Sequence, residues 1–181
     1  MVIAVLGLTD KRPVIYCLMK LFQKLGDCAV LTQDRHYARL IDNGTYMGHY
    51  QNIFVAVSDA GADEIFNEIG YRPADFENII IDCVDQVPDY YDVLIYVGGA
   101  GGPTEDEQTL LDMCEKYSVI NLGFGDKCIP YSVEMFKTIE EAEALKHLGP
   151  MNQQIAQRIA TILTERVSMP VKNIVKVVCS R

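Results

Sequence analysis

Hydrophobic residues come in short continuous blocks rather than strict alternation. Runs at 2–6, 28–31, 53–57, 78–83, 92–97 and 118–122 are rich in Val, Ile and Leu. Such blocks predict strands covered on both faces, as in a parallel sheet between helices. Between them the period changes. Val14, Cys17, Leu18, Leu21, Phe22 and Leu25 recur at helical spacing, and Gly26 is a stop signal. The pattern predicts further helices over 62–69, 104–116, 139–148 and 151–167, and 171–178 reads as a final strand or a short amphipathic tail. Thr104 with Glu107 makes a capping-box spacing under an acidic first turn. Residues 46–57 read as a hairpin-like excursion near the sheet edge. Strand–helix alternation predicts a doubly wound, mainly parallel α/β sheet with helices on both faces. In such sheets ligands sit beyond the carboxyl ends of the strands.

The chain has 181 residues, expected to form one domain over 1–181. Sixteen basic against twenty-five acidic residues give a net charge of -9, which disfavours nucleic acid as a partner. Arg35, His36 and Arg39 form one small basic cluster. No apolar run approaches the roughly 20 residues of a membrane span, no signal peptide is read at the N-terminus, and a cytoplasmic location is expected. The six cysteines contain no CxxC pair, and the three histidines show no ligand spacing. Most of the cysteines fall in apolar runs and are expected in the core.

Candidate chemistry gathers at the predicted strand ends. Gly7-Leu8-Thr9-Asp10-Lys11-Arg12-Pro13 links the first strand to the first helix, where many nucleotide-binding folds hold phosphate. Thr9 is read as the helix N-cap, with Pro13 in the first turn. Lys11 and Arg12 have two readings, a solvated helix start or a phosphate site. Asp34 and Asp82 are read either as loop caps or as groups positioning magnesium or water. Gly98-Gly99-Ala100-Gly101-Gly102-Pro103 is the most glycine-rich stretch, read as an anion cradle, a mobile loop or a partner-surface hinge. Asn121 is read as a cap of a strand or turn. Tyr90 and Tyr91 are read as packing over the sheet rim, with stacking on a base as the other option.

Several segments, in order, resemble the ParA/MinD group of deviant-Walker P-loop ATPases. Phe76 to Asp82 is similar to the Walker B strand, Val119-Ile120-Asn121 to the strand ending in Asn, and Cys128-Ile129-Pro130-Tyr131 to the segment that follows. The resemblance implies a P-loop NTPase-like fold, a nucleotide site at Gly7, Thr9, Lys11, Asp34, Asp82, Gly98, Gly99 and Asn121, with Asn121 at the base edge, and Asp82 as the magnesium residue. The first loop departs from GxxxxGK[ST]. It is shorter and bulkier, and Arg12 and Pro13 stand where the magnesium-binding hydroxyl should be. The combination resembles the pilus-assembly proteins TadZ and CpaE. It implies a non-hydrolysing or weakly nucleotide-binding scaffold or localisation factor for a pilus, secretion or mobile-element system. Protein partners and a homodimer would go with it. Two alternatives stand beside it: an atypical ATPase using ATP or ADP with magnesium, and a Rossmann-like small-molecule enzyme.

Overall fold

A computed structural model describes residues 1–41, 45–60, 62–130 and 150–167. The predicted helix at 139–148, the final strand at 171–178, Tyr131 and Cys179 lie outside the described residues. Seven strands form one sheet: β1 (Val2–Leu6), β2 (Cys28–Thr32), β3 (Met47–Tyr50), β4 (Ile53–Val57), β5 (Asn78–Cys83), β6 (Val93–Gly98) and β7 (Ser118–Asn121). Their order is β3-β4-β2-β5-β1-β6-β7. All pairings are parallel except β3 with β4, so the hairpin expected at the edge is present. Helices α1 (Arg12–Phe22), α2 (Ala62–Ile69), α3 (Glu105–Asp112) and α4 (Pro150–Val167) cover it.

The continuous apolar runs are explained by two cores. Ile3, Val5, Val30, Ile80, Ile95 and Val97 face α1 and α4. Their neighbours Ala4, Leu6, Leu31, Ile79, Ile81 and Leu94 face Ile65 and Phe66 of α2 and Leu111 of α3. Period-two geometry therefore buries both sides of each central strand. Each buried Ile or Leu contributes about 1.5–3 kcal/mol of apolar transfer. Arg166 fastens α4 to the β7 edge by donating to the Ser118 hydroxyl at 3.0 Å and the Tyr117 carbonyl at 2.8 Å.

Topology places the site. From β1 the chain crosses to β2 on one side, whereas from β6 it crosses to β7 on the other. Right-handed crossovers in opposite directions put α1 and α3 on opposite faces. The β1–α1 and β6–α3 loops thus diverge from neighbouring strands and leave a switch point at their carboxyl ends.

Three local expectations change. The N-cap of α1 is Lys11, with no side-chain cap hydrogen bond, rather than Thr9. The helix ends at Phe22, because Lys24 and Leu25 tighten into i−3 bonds to Leu21 and Phe22 (3.3 and 2.9 Å) before Gly26 at φ +128°. Helix α3 stops at Asp112 rather than 116. Met113 is 79% exposed there, and Met113 and Cys114 bond back to Leu110 and Leu111 in a final tight turn.

Candidate functional site

Gly7 leaves β1 with φ +142°, and a Cβ there would stand 2.2 Å from the Val97 carbonyl oxygen. Glycine is required because this loop presses against the backbone of β6. Lys11 then folds back over the strand ends. Its Nζ donates to the Gly7 carbonyl at 2.7 Å and the Cys83 carbonyl at 2.9 Å. It also lies 3.2 Å from Asp82 Oδ1, with side-chain exposures of only 10% and 5%. The ammonium is therefore held by two backbone oxygens and one carboxylate of its own chain.

Asp82 is braced from the other side. Its Oδ2 accepts the Thr32 hydroxyl at 2.7 Å, and Thr32 Oγ1 accepts the Asp34 N–H at 2.9 Å. Asp82 Oδ1 meets Lys11 as a charge contact without hydrogen-bond alignment. Asp34 turns outward, where its Oδ1 accepts the His36 N–H at 2.9 Å and lies 2.6 Å from His36 Nδ1. It opens the short 3₁₀ turn Arg35–Leu40.

Tyr37 of that turn is fully buried and stacks on Tyr16 with ring centroids 5.6 Å apart. Its hydroxyl has no hydrogen-bond partner among the described residues. Burial first, then the Asp82 charge, raise its phenol well above the ordinary range. In the basic cluster, Arg35 pairs with Asp59 at 3.2 Å on the surface, and Arg39 donates to the Tyr16 hydroxyl at 3.3 Å.

The rest of the first loop is also engaged. Asp10 pairs with Arg12 through contacts of 2.8 and 2.7 Å. Burial pushes the Asp10 carboxyl up, but the Arg12 hydrogen bonds more than reverse this and lower it. The Leu8 N–H donates to Glu107 Oε1 at 2.8 Å, while Glu107 Oε2 accepts the Thr104 N–H at 2.8 Å. Burial raises the Glu107 carboxyl, yet these hydrogen bonds outweigh it and hold the group below its ordinary value. The Tyr96 phenol beside it is pushed up to about 12, by burial first and by the Glu107 charge next.

The glycine-rich segment is different. Gly98 ends β6 where a Cβ would lie 2.7 Å from the Tyr96 ring and 3.1 Å from Asn121 Oδ1. Gly99 comes near Thr9, whose Oγ1 is 3.7 Å from the Cβ position. Gly101 and Gly102 have open space around them.

All eight candidate residues thus fall at one carboxyl edge of the sheet. Gly7, Lys11 and Asp82 are in one contact network, and Gly98, Gly99, Thr9 and Asn121 line its neighbour. Asp34 joins through its backbone alone, its side chain pointing to His36. Sequence reasoning missed Thr32, Tyr37 and the reach of Glu107 to Leu8. The capping-box spacing singled out Glu107, but only for its own helix.

The residues present do not suit a magnesium-bound polyphosphate. Lys11 is turned onto backbone carbonyls, Leu8 N–H already has an anionic acceptor, and Arg12 and Pro13 supply no hydroxyl for the metal. Among the described residues no cluster of three or more His, Cys, Asp or Glu is arranged to hold a metal ion.

The fold is that of a P-loop NTPase-like α/β protein with a seven-stranded, mostly parallel sheet. The chain is similar to the MinC:MinD cell division protein complex of Aquifex aeolicus, with TM-score 0.60 and 9% identity over 90% of this chain and 95% of that one. Two other solved structures align less closely. The MinD cell division protein of Aquifex aeolicus has TM-score 0.49 and 13% identity, covering 98% of this chain and 94% of that one. The ParA family ATPase from Chlorobium tepidum TLS has TM-score 0.48 and 13% identity, covering 91% and 97%. At such identities the likeness is one of fold. No protein-family model matches the chain, and no curated protein matches it in sequence. No helix among the described residues is long and apolar enough to cross a membrane.

Proposed function

We propose that this protein is a ParA/MinD-like scaffold or localisation factor that works without nucleotide hydrolysis, for a pilus, secretion or mobile-element system. The observation that carries this reading is the inward Lys11. An ammonium already held by Gly7 O, Cys83 O and Asp82 must break those contacts before it can meet a phosphate. Such a carboxyl edge is better suited to a fixed surface than to a cycle of nucleotide binding and release. Leu8, 61% exposed, and Phe124, 87% exposed, put apolar side chains on loops bordering that edge, which suits a protein partner or a homodimer. A solved MinD occurs in complex with MinC, a precedent for protein recognition by this fold.

One second reading has an observation behind it. Lys11 beside Asp82 is the pair an atypical magnesium-dependent ATPase would use. Light scattering with and without ATP and magnesium, together with a phosphate-release assay, separates the two. The scaffold reading expects a dimer mass unchanged by nucleotide and background phosphate release. A mass that rises only with ATP, or steady phosphate release lost on Lys11→Met, would establish the ATPase instead.

A further inference from the structure

Glu107 is 5% exposed, and its two carboxylate oxygens serve different parts of the chain. Oε2 and the Glu107 N–H complete a reciprocal capping box with Thr104. That half is ordinary helix architecture. Oε1 reaches the Leu8 N–H at 2.8 Å, across 99 residues of sequence. A capping box does not need this second contact. Asp106 and Glu105 share the acidic first turn of α3 but stay exposed.

Leu8 follows Gly7 at the mouth of β1. A backbone N–H at this turn of an α/β sheet is a donor that a phosphate oxygen would use. Here it already meets a negative oxygen. We propose that Glu107 acts as an internal anion, filling in cis the place at the first loop where this fold would seat a phosphate, and so holding the loop closed against the 98–104 segment. This rests on the nucleotide-independent reading above and names the contact that enforces it.

The lock needs no high intrinsic affinity. A tethered carboxylate has an effective concentration that a free anion must overcome. Lys11 strengthens the closure, because its ammonium is engaged with Asp82 and two backbone carbonyls and is not turned toward an incoming anion. Gly7 contributes as well, since its close approach to Val97 fixes the direction of the Leu8 amide.

The test follows the Leu8 amide by NMR in the full chain. Hydrogen exchange and pyrophosphate titration are recorded for wild type, Glu107→Ala, Glu107→Gln and Thr104→Ala. Thr104→Ala removes the cap hydroxyl but leaves the Leu8 contact, so it reports helix capping alone. Wild type and Thr104→Ala should protect Leu8 and show no pyrophosphate shift. In Glu107→Ala, Leu8 exchange should rise roughly ten- to a hundredfold, the loss of one charge-assisted hydrogen bond, and pyrophosphate should shift Leu8 saturably. Glu107→Gln keeps the side-chain size and should fall between, which preserves the test if the alanine variant fails to fold. Unchanged Leu8 exchange in both Glu107 variants would overturn the lock. So would faster exchange without any pyrophosphate shift, or a wild-type shift equal to that of the variant. Nucleotide binding by wild type that leaves the Leu8 resonance unmoved would instead break the scaffold reading and spare the lock.

Discussion

The two loops at the carboxyl edge solve opposite problems. The β1–α1 loop contains a single glycine, at 7, and nearly every strong group in it is engaged: Lys11 with backbone carbonyls and Asp82, Asp10 with Arg12, Leu8 N–H with Glu107. The β6–α3 loop carries three glycines, at 99, 101 and 102, and around Gly101 and Gly102 nothing lies within 4 Å of a Cβ position. The loop where this fold invites phosphate is internally satisfied, and the loop with the open backbone lies beside it. Glycine content alone would rank them by flexibility. The hydrogen bonds show instead that one is fixed by charge pairs, whereas the other is held by a single backbone turn, Gly102 N–H to Gly99 O at 3.3 Å, and by the Glu107 contact to Thr104 N–H at its end.

The largest effect should come from breaking the buried pair in the fixed loop. Lys11→Met leaves Asp82 charged and nearly buried, and is expected to cost about 3–5 kcal/mol. Urea denaturation should show a lower midpoint at an unchanged slope. Adding Asp82→Asn should recover much of that loss, since neutralising both partners removes the stranded charge. A double variant no better than the single would mean the ammonium acts mainly through Gly7 and Cys83.

Gly7→Ala comes next. Its φ of +142° and the 2.2 Å approach to Val97 O both oppose a side chain. The backbone strain alone is worth about 1–3 kcal/mol, measured as a drop in melting temperature.

Glu107→Gln should cost roughly 1–2 kcal/mol near neutral pH. The sign with pH follows from its lowered carboxyl value. A group depressed in the folded state stabilises above its ordinary value of 4.5 and loses that contribution as pH falls through the lower folded value. The gap between wild type and variant should therefore narrow below pH 4.5. A gap independent of pH would remove the carboxylate charge from the explanation.

The smallest effect belongs to the open loop. Gly101→Ala meets open space and should change stability by no more than about 0.5 kcal/mol. A large loss there would abolish the contrast between the loops.

The sheet was legible in sequence because central strands buried on both faces must be apolar at successive positions, as Ile79-Ile80-Ile81 are. The Thr104–Glu107 cap was legible because its chemistry is local. The start of α1 was misread because Thr9 is a good capping residue, while the fold directs it toward Gly99. The candidate residues were found by their place at strand ends, but their engagement was hidden. Lys11 to Cys83 spans 72 residues and Leu8 to Glu107 spans 99. Contacts of that range depend on strand order, and neither spacing nor periodicity encodes it.

The central claim is that the first loop is closed to nucleotide. Its most direct test is calorimetric titration of the wild-type chain with ATP and with ADP, with and without magnesium. The account predicts no saturable heat in any of the four titrations. Saturable, magnesium-dependent binding that disappears in a folded Lys11→Met variant would contradict it and make Lys11 a phosphate ligand.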